Sequence, residues 1–293
     1  MDIERSLREA AGFTPTEQQL ARTILAMGER IQDHSIKELA ACANASIASI
    51  HRLCKKLGLE GYKELKIELV RAATRRLHGP SQVDINFPFN KGDRAQTVLS
   101  QMASVYETTL HDTADVLDTA ALDRAAGFLA RAQMVDIFTQ SHNLHPARMF
   151  SERLQSIGKA STCFESAEQQ TRTAMAARET HVAVAISYSG LGPNLTQVLP
   201  LLKARRVPVV FIGTPHAERI NPGLDVYLHV SDRESLQNRI TQFASHIAVQ
   251  YVLDSLFSCL FARDYDRSRA FLEQSLPYTR LPALRERGVE LER

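Results

Sequence analysis

Two groups of side chains in this sequence have the types and spacing for chemistry with anions. The first lies between Ser46 and Lys56: Ser46, Ser49, His51, Arg52, Lys55 and Lys56. Hydroxyls at the start of a helix and cations along it suit contacts to the phosphates and base edges of duplex DNA. Arg52 is the candidate for a bidentate contact to guanine. Lys55 and Lys56 lie a turn later and would hold phosphates. Ser46 serves either as a helix cap or as a DNA contact, and His51 either reads DNA or is merely exposed.

The second group lies in Ile186-Ser187-Tyr188-Ser189-Gly190-Leu191-Gly192-Pro193-Asn194. It follows an apolar strand-like run and precedes a helix starting near Asn194. Small hydroxyls and glycine there let backbone N–H groups and serine side chains surround an anion, and the helix N-terminus adds favourable electrostatics. Ser187, Ser189, Gly190 and Asn194 are the candidate contacts; the plain alternative is an ordinary turn with a serine cap. A third loop, Phe138 to Pro146, adds Ser141, His142 and Asn143 as hydrogen-bonding candidates. His142 and His145 without a carboxylate partner make a poor metal site. No metal or cofactor is expected.

These groups need elements to hold them. Thr14 or Thr16 can cap a first helix with Pro15 in its first turn. Ser35 and Glu38 form a capping box for a short second helix. Ala41 to Ala45 make a turn, Ser46 caps a third helix, and Gly58 ends it. Ile47, Ile50, Leu53, Cys54 and Leu57 form its buried stripe, leaving Ser49, His51, Arg52, Lys55 and Lys56 on the other side. That is a helix-turn-helix pattern. A further helix is read from Lys63 to about Leu77, broken at His78-Gly79-Pro80-Ser81, and an irregular linker runs through Asn86 to Gly92.

A helix-rich stretch follows from Asp93 to about Ala130. The periodicity then changes. Short apolar runs at Met134–Phe138, Ser161–Phe164, Val182–Ile186, Val207–Ile212 and Asp225–Val230 alternate with helical segments near Pro146–Ile157, Glu168–Ala177, Leu195–Ala204 and Ala217–Asn221. Such alternation predicts a parallel sheet covered on both faces. A long helix, about Ser235–Phe261, closes the domain, and a charged, weakly periodic tail follows Arg263. The expected fold is an all-α helix-turn-helix domain, residues 1–78, followed by connecting residues 79–120. An α/β three-layer domain with a five-stranded parallel sheet spans 121–262, and the tail 263–293.

Charge is uneven. From Ser46 to His78 eight cations meet three anions, a balance of +5, although the whole chain of 293 residues carries only +2. A basic segment on a near-neutral body fits phosphate-backbone binding by one end of the molecule. The four cysteines are far apart, without metal-ligand spacing, and each reads as a small buried apolar residue. The N-terminal segment is not that of a signal peptide, and the longest apolar runs are strand-sized, so the expectation is a cytoplasmic protein without a membrane partner.

The pattern SIxELA…SxASIxRLCKKLGLxGYKELK, from Ser35 to Lys66, together with ISYSG at Ile186–Gly190, resembles the RpiR-type transcriptional regulators. These join an N-terminal helix-turn-helix to a C-terminal sugar isomerase (SIS) domain, a flavodoxin-like fold. The resemblance runs from about Phe13 to Phe261. It implies a homodimer or tetramer on a pseudo-palindromic operator in double-stranded DNA. It also implies a phosphorylated sugar or sugar acid in the SIS domain that alters DNA affinity. Ser187, Ser189 and Gly190 match the family's phosphate loop. Thr139, Ser141 and Asn143 stand where relatives read GxGxS, and Gly192 stands where a threonine is usual, so His142, Asn143 or Arg148 would read a differently shaped ligand. The expectation is a regulator of carbohydrate metabolism genes and not an enzyme. The rivals are a sugar-phosphate isomerase using Glu165, Glu168 or His142 as base, and a module whose helical domain binds protein.

Overall fold

The computed structural model describes Leu7, residues 13–69 and residues 83–279. Arg71, Arg75 and Arg76, the helix break at 78–81 and the end of the tail lie outside the described residues. The chain divides into two compact units, Met1–Val83 and Asp84–Arg293.

Unit one is helical because capping side chains fix where each helix starts. Helix α1, Pro15–Met27, opens on a capping box in which Thr14 and Glu17 each accept the other's backbone N–H. A 3-10 turn covers Gly28–Asp33. Helix α2, Ile36–Cys42, has the Ser35–Glu38 capping box that the sequence predicts. Asn44, at φ 48°, turns the chain. Helix α3, Ile47–Lys56, starts where the Ser46 hydroxyl accepts the Ser49 N–H at 3.1 Å. It ends in the paired bonds of a Schellman motif, Gly58 N–H to the Lys55 carbonyl and Leu59 N–H to the Cys54 carbonyl. Residues 62–69 are also helical. Leu20, Ile24, Leu39, Ile50, Leu53 and Leu65 are wholly buried together. Two expectations are corrected: Ile47, assigned to the buried stripe, is 38% exposed, and Cys42, assigned to the interior, is exposed.

Unit two begins with helices α5, Ala95–Val116, and α6, Thr119–Arg131, α4 being the helical stretch at 62–69. Asp118 caps α6 through both carboxylate oxygens. Then strands and helices alternate: β1 Met134–Phe138, α7 Leu144–Ser156, β2 Ser161–Cys163, α8 Ala167–Ala176, β3 His181–Ile186, α9 Leu195–Ala204, β4 Val209–Gly213, α10 Pro215–Ile220 and β5 Val226–His229. The five strands are all parallel, in the order β2-β1-β3-β4-β5. Alternate residues point to opposite faces, as strand geometry requires. Val182, Val184 and Ile186 join one core with α6 and α7. Ala183 and Ala185 join the other with α8 and α9. This is the three-layer α/β domain that the alternation of runs predicts.

Helix α11, Phe243–Arg263, lies against α5, α6 and α7 and buries Ala248, Val249, Val252, Leu253 and Leu256. By length and composition it is the one helix among the described residues that could cross a membrane; its burial marks it as a core helix here, and the expectation of only strand-sized apolar runs overlooks it. The helix expected from Ser235 begins only at Phe243. Residues 231–242 are irregular because their backbone groups find other partners: Ser235 N–H donates to Asn86 Oδ1 at 2.7 Å and Ile240 N–H to the Asn86 carbonyl at 3.0 Å. The tail is also corrected, since Tyr265–Thr279 forms helix α12. The face of Phe271 covers Gly158, where a Cβ would meet its ring at 2.8 Å.

Candidate functional site

In unit one the exposed side of α3 presents His51, Arg52 and Lys55. Ser46 is exposed as well, while its hydroxyl holds the helix start. Ser49, expected on this side, is instead buried. Its hydroxyl lies 2.9 Å from that of Ser46 and accepts a bond from Arg52 Nη2 at 2.9 Å. The three side chains thus lock one another at the helix N-terminus. Lys56, expected to hold phosphate, donates to Glu17 Oε2 at 2.7 Å. That bond, the Thr14 backbone and the Thr14 hydroxyl together hold the Glu17 carboxyl below the usual carboxylate range, against the opposing cost of burial.

In unit two the sheet order places a switch point between β1 and β3, where successive crossovers leave in opposite directions. A crevice opens there at the strands' carboxyl ends. It measures about 270 Å³ and is walled by residues 139–143 after β1 and 186–195 after β3. The sequence-predicted Ser141, His142, Asn143, Ser187, Ser189 and Asn194 all line it. Gly190 completes the turn, accepting a bond from Asn221 Nδ2 at 3.0 Å. Its φ of 76° and a hypothetical Cβ only 2.9 Å from Ala217 Cα leave room for glycine alone.

The turn is held from within. The Ser187 hydroxyl accepts the Gly190 N–H at 3.1 Å and that of Ser189 accepts the Leu191 N–H at 3.2 Å. Across the crevice, Ser141 sits at φ 58°. A non-glycine residue there costs on the order of 1 kcal/mol and persists only where its surroundings demand it. Gln170 ties the two walls, donating to the Thr139 carbonyl at 2.7 Å and accepting from Asn194 Nδ2 at 2.5 Å. Three buried polar atoms of lining residues lack any partner: Asn143 Oδ1, Asn194 Oδ1 and His142 Nε2. Buried polar atoms normally have partners, so these three hold hydrogen-bonding capacity that the described residues leave unused. Burial, and secondarily the charges of Arg239, His246 and His145, hold the His142 imidazole below its ordinary range.

Residues 1–75 match the description "Helix-turn-helix domain, rpiR family". Over that stretch the chain is similar to the helix-turn-helix domain of the RpiR family, and its α/β domain is SIS-like in fold. Along nearly its full length this chain is similar to an uncharacterised HTH-type transcriptional regulator of Caldanaerobacter subterraneus subsp. tengcongensis. The two are 27% identical over 278 residues, 94% of this chain and 95% of the relative. In structure it is similar to the Vibrio vulnificus NanR protein complexed with ManNAc-6P, at TM-score 0.57 and 20% identity, covering 94% of this chain and 97% of that one. The sugar isomerase domain of an RpiR transcription factor from Sphaerobacter thermophilus aligns at TM-score 0.52 and 19% identity, covering 59% of this chain and 95% of that one.

Sequence reasoning missed one cleft residue of this chain. Arg239 lines the crevice together with Leu236 and Gln242, on the irregular segment that was expected to be helical. It is the one lysine or arginine among the described lining residues, and its partner is the buried Glu234 at 2.7 Å. A cation after two polar residues in Gln237-Asn238-Arg239 gives no sequence signal of this kind. Arg148, expected as a reader of ligand, points elsewhere and pairs with the exposed Glu165 at 3.0 Å. Glu165 and Glu168 do not line the crevice. Among the described residues no group of three or more His, Cys, Asp or Glu could hold a metal.

Proposed function

We propose that this regulator controls carbohydrate metabolism genes and that a phosphorylated sugar or sugar acid in the β1–β3 crevice sets its DNA affinity. The observation that carries the reading is the crevice itself. Its described lining joins a hydroxyl-rich turn at a helix start, a single guanidinium and the unpartnered carbonyl oxygens of Asn143 and Asn194. The turn suits an anion, and the two carbonyls require hydroxyl or amide donors, which a sugar carries. NanR of Vibrio vulnificus, similar in fold, is described in complex with ManNAc-6P, and that ligand is the first to try.

Residues 1–78 would grip DNA through Ser46, His51, Arg52 and Lys55, and residues 121–262 would sense the metabolite. A dimer or tetramer would place two reading helices on a pseudo-palindromic operator, with half-sites about one helical turn apart or a multiple of it. The effector acts only through differential affinity for two arrangements of that assembly. The protein would work in the cytoplasm, where operator and metabolite meet. The crevice has no carboxylate among its described lining residues, which supports sensing over isomerisation. His142 is the one group there suited to take a proton, so turnover assays on sugar phosphates belong in the test.

The test is a thermal-shift screen of the full chain with phosphorylated sugars and sugar acids, followed by anisotropy titrations on its own promoter region. A ligand that binds the native state raises the melting temperature and changes operator affinity. Steady turnover of a sugar phosphate, or indifference to promoter DNA at low salt with and without ligand, overturns the reading.

A further inference from the structure

We propose that residues 231–242 form a sensing strap over the crevice, with Arg239 as its anion-reading residue and Asn86 as the residue that passes occupancy on toward the DNA-binding unit. This rests on the ligand reading above and adds the route by which the ligand acts.

Arg239 faces the crevice with a side chain only 12% exposed, and Glu234, wholly buried, is its partner. An anion bound in the crevice competes for the same guanidinium. Glu234 is not stranded when Arg239 turns away, because its other oxygen accepts the Ser245 N–H in the first turn of α11. Loss of the guanidinium still leaves a buried carboxylate short of one partner, so the bound anion has to supply the free energy for the exchange. The strap is also tied to the anion turn. The Tyr188 hydroxyl donates to the Glu234 carbonyl and accepts the Glu234 N–H, both at 3.2 Å.

The strap has little regular structure of its own. It is fastened to Asn86 at two points, Ser235 N–H on the side-chain oxygen and Ile240 N–H on the carbonyl, and these bracket Arg239. Phe89 packs edge-on to Phe243 just beyond, with ring centres 6.4 Å apart. Asn86 is itself set by Asp84, whose Oδ1 accepts the N–H groups of Asn86 and Phe87 at 2.8 and 3.2 Å. Asp84 is the first residue of unit two. The chain that leads back to the reading helix thus enters this unit through the residues clamped to the strap. Movement of Arg239 between Glu234 and a bound anion bears on that entry point directly.

The test uses the full chain, an operator duplex selected from random DNA, and two probes, inorganic phosphate and ManNAc-6P. Arg239→Ala frees the strap from Glu234 without ligand. It should shift operator affinity at least fivefold, and should raise amide hydrogen exchange at Ser235, Ile240 and across residues 84–90. Asn86→Ala should bind both probes as the parent does and lose their effect on operator affinity. In the double variant Arg239→Ala/Asn86→Ala, affinity should return to within twofold of Asn86→Ala alone. Asn86→Asp keeps the acceptor oxygen and should respond as the parent does. The proposal is overturned if exchange in Arg239→Ala rises only within 231–242, or if Asn86→Ala still transmits the response. If no duplex is selected by the parent, the regulator reading fails, and the exchange measurement alone then decides the coupling.

Discussion

Lys56, the last residue of α3, donates to Glu17 of α1 across 2.7 Å, and the Glu17 side chain is only 3% exposed. The pair ties the end of α3 to the start of α1, and the same carboxylate oxygen accepts the Thr14 N–H. Lys56→Ala should destabilise the helical unit by about 1–2 kcal/mol, since a charge-assisted bond is lost while one partner keeps solvent. The lowered carboxyl of Glu17 gives the sign with pH. Its contribution is complete above the ordinary carboxylate range and disappears as pH falls through the lowered value. Denaturant melts of parent and variant should converge at low pH; curves that stay parallel would show that the pair contributes nothing.

Arg52→Ala should weaken binding to the selected operator by about 1–3 kcal/mol and relax base preference at one position of each half-site. Its guanidinium is pre-set by the bond to Ser49, so Ser49→Ala should produce part of the same loss although Ser49 is buried. Competition titrations against single-base operator variants check both. Equal affinity of Arg52→Ala and parent would remove α3 as the reading helix.

Ser189→Ala should abolish the ligand response and leave unliganded DNA binding intact, because its hydroxyl serves only the turn at Leu191. An unchanged half-maximal ligand concentration in the variant would take this turn out of the site.

Gly213 lies behind the same turn. A Cβ there would collide with the Ser187 carbonyl oxygen, which is backbone and has no easy way to yield. Gly213→Ala should cost about 1–3 kcal/mol of stability through overpacking and should lose ligand binding even at temperatures where it stays folded. Calorimetric titration at low temperature separates the two effects, and parental affinity there would contradict the packing argument.

Burial holds the imidazoles of His142 and His246 below their ordinary range. The unfolded chain therefore gains protons first as pH falls through about 6.5, so ligand-free stability should drop between about pH 7.5 and about pH 5.5. An anionic ligand favours the imidazolium of His142, so binding should take up protons and tighten as pH falls. His142→Asn should flatten both profiles. A proton uptake unchanged in that variant, measured calorimetrically in buffers of different ionisation enthalpy, would assign the uptake elsewhere.

The strands were legible because each is a short apolar run whose alternate residues meet two different helical layers, as Val182 to Ile186 do. The helix starts were legible because Ser35, Glu38 and Ser46 settle their own backbone locally. Arg239 was not, because its position depends on Asn86, 149 residues before the Ser235 amide that it holds. No periodicity within 231–242 encodes such a partner. Ser49 misled for a related reason: a polar residue at a helix start is exposed by pattern, yet the Ser46 hydroxyl and the Arg52 guanidinium satisfy it in a buried position. Helix α12 was missed because its apolar residues are sparse and find their contacts far away or at its end, Phe271 on Gly158 and Tyr265 on Phe261.

The two walls of the crevice hang from the ends of β1 and β3, where the Thr139 hydroxyl donates to the Ile186 carbonyl at 3.1 Å and the Ser187 N–H to that of Ile212 at 3.0 Å, while Ser141 and Asn143 lie beyond these bonds. Ser141 and Asn143 can therefore be exchanged in the course of descent without disturbing how the strands pair, whereas Thr139 is held to β3. A lineage that duplicates such a gene inherits a ready scaffold and needs to rewrite only a few turn residues to reshape the crevice.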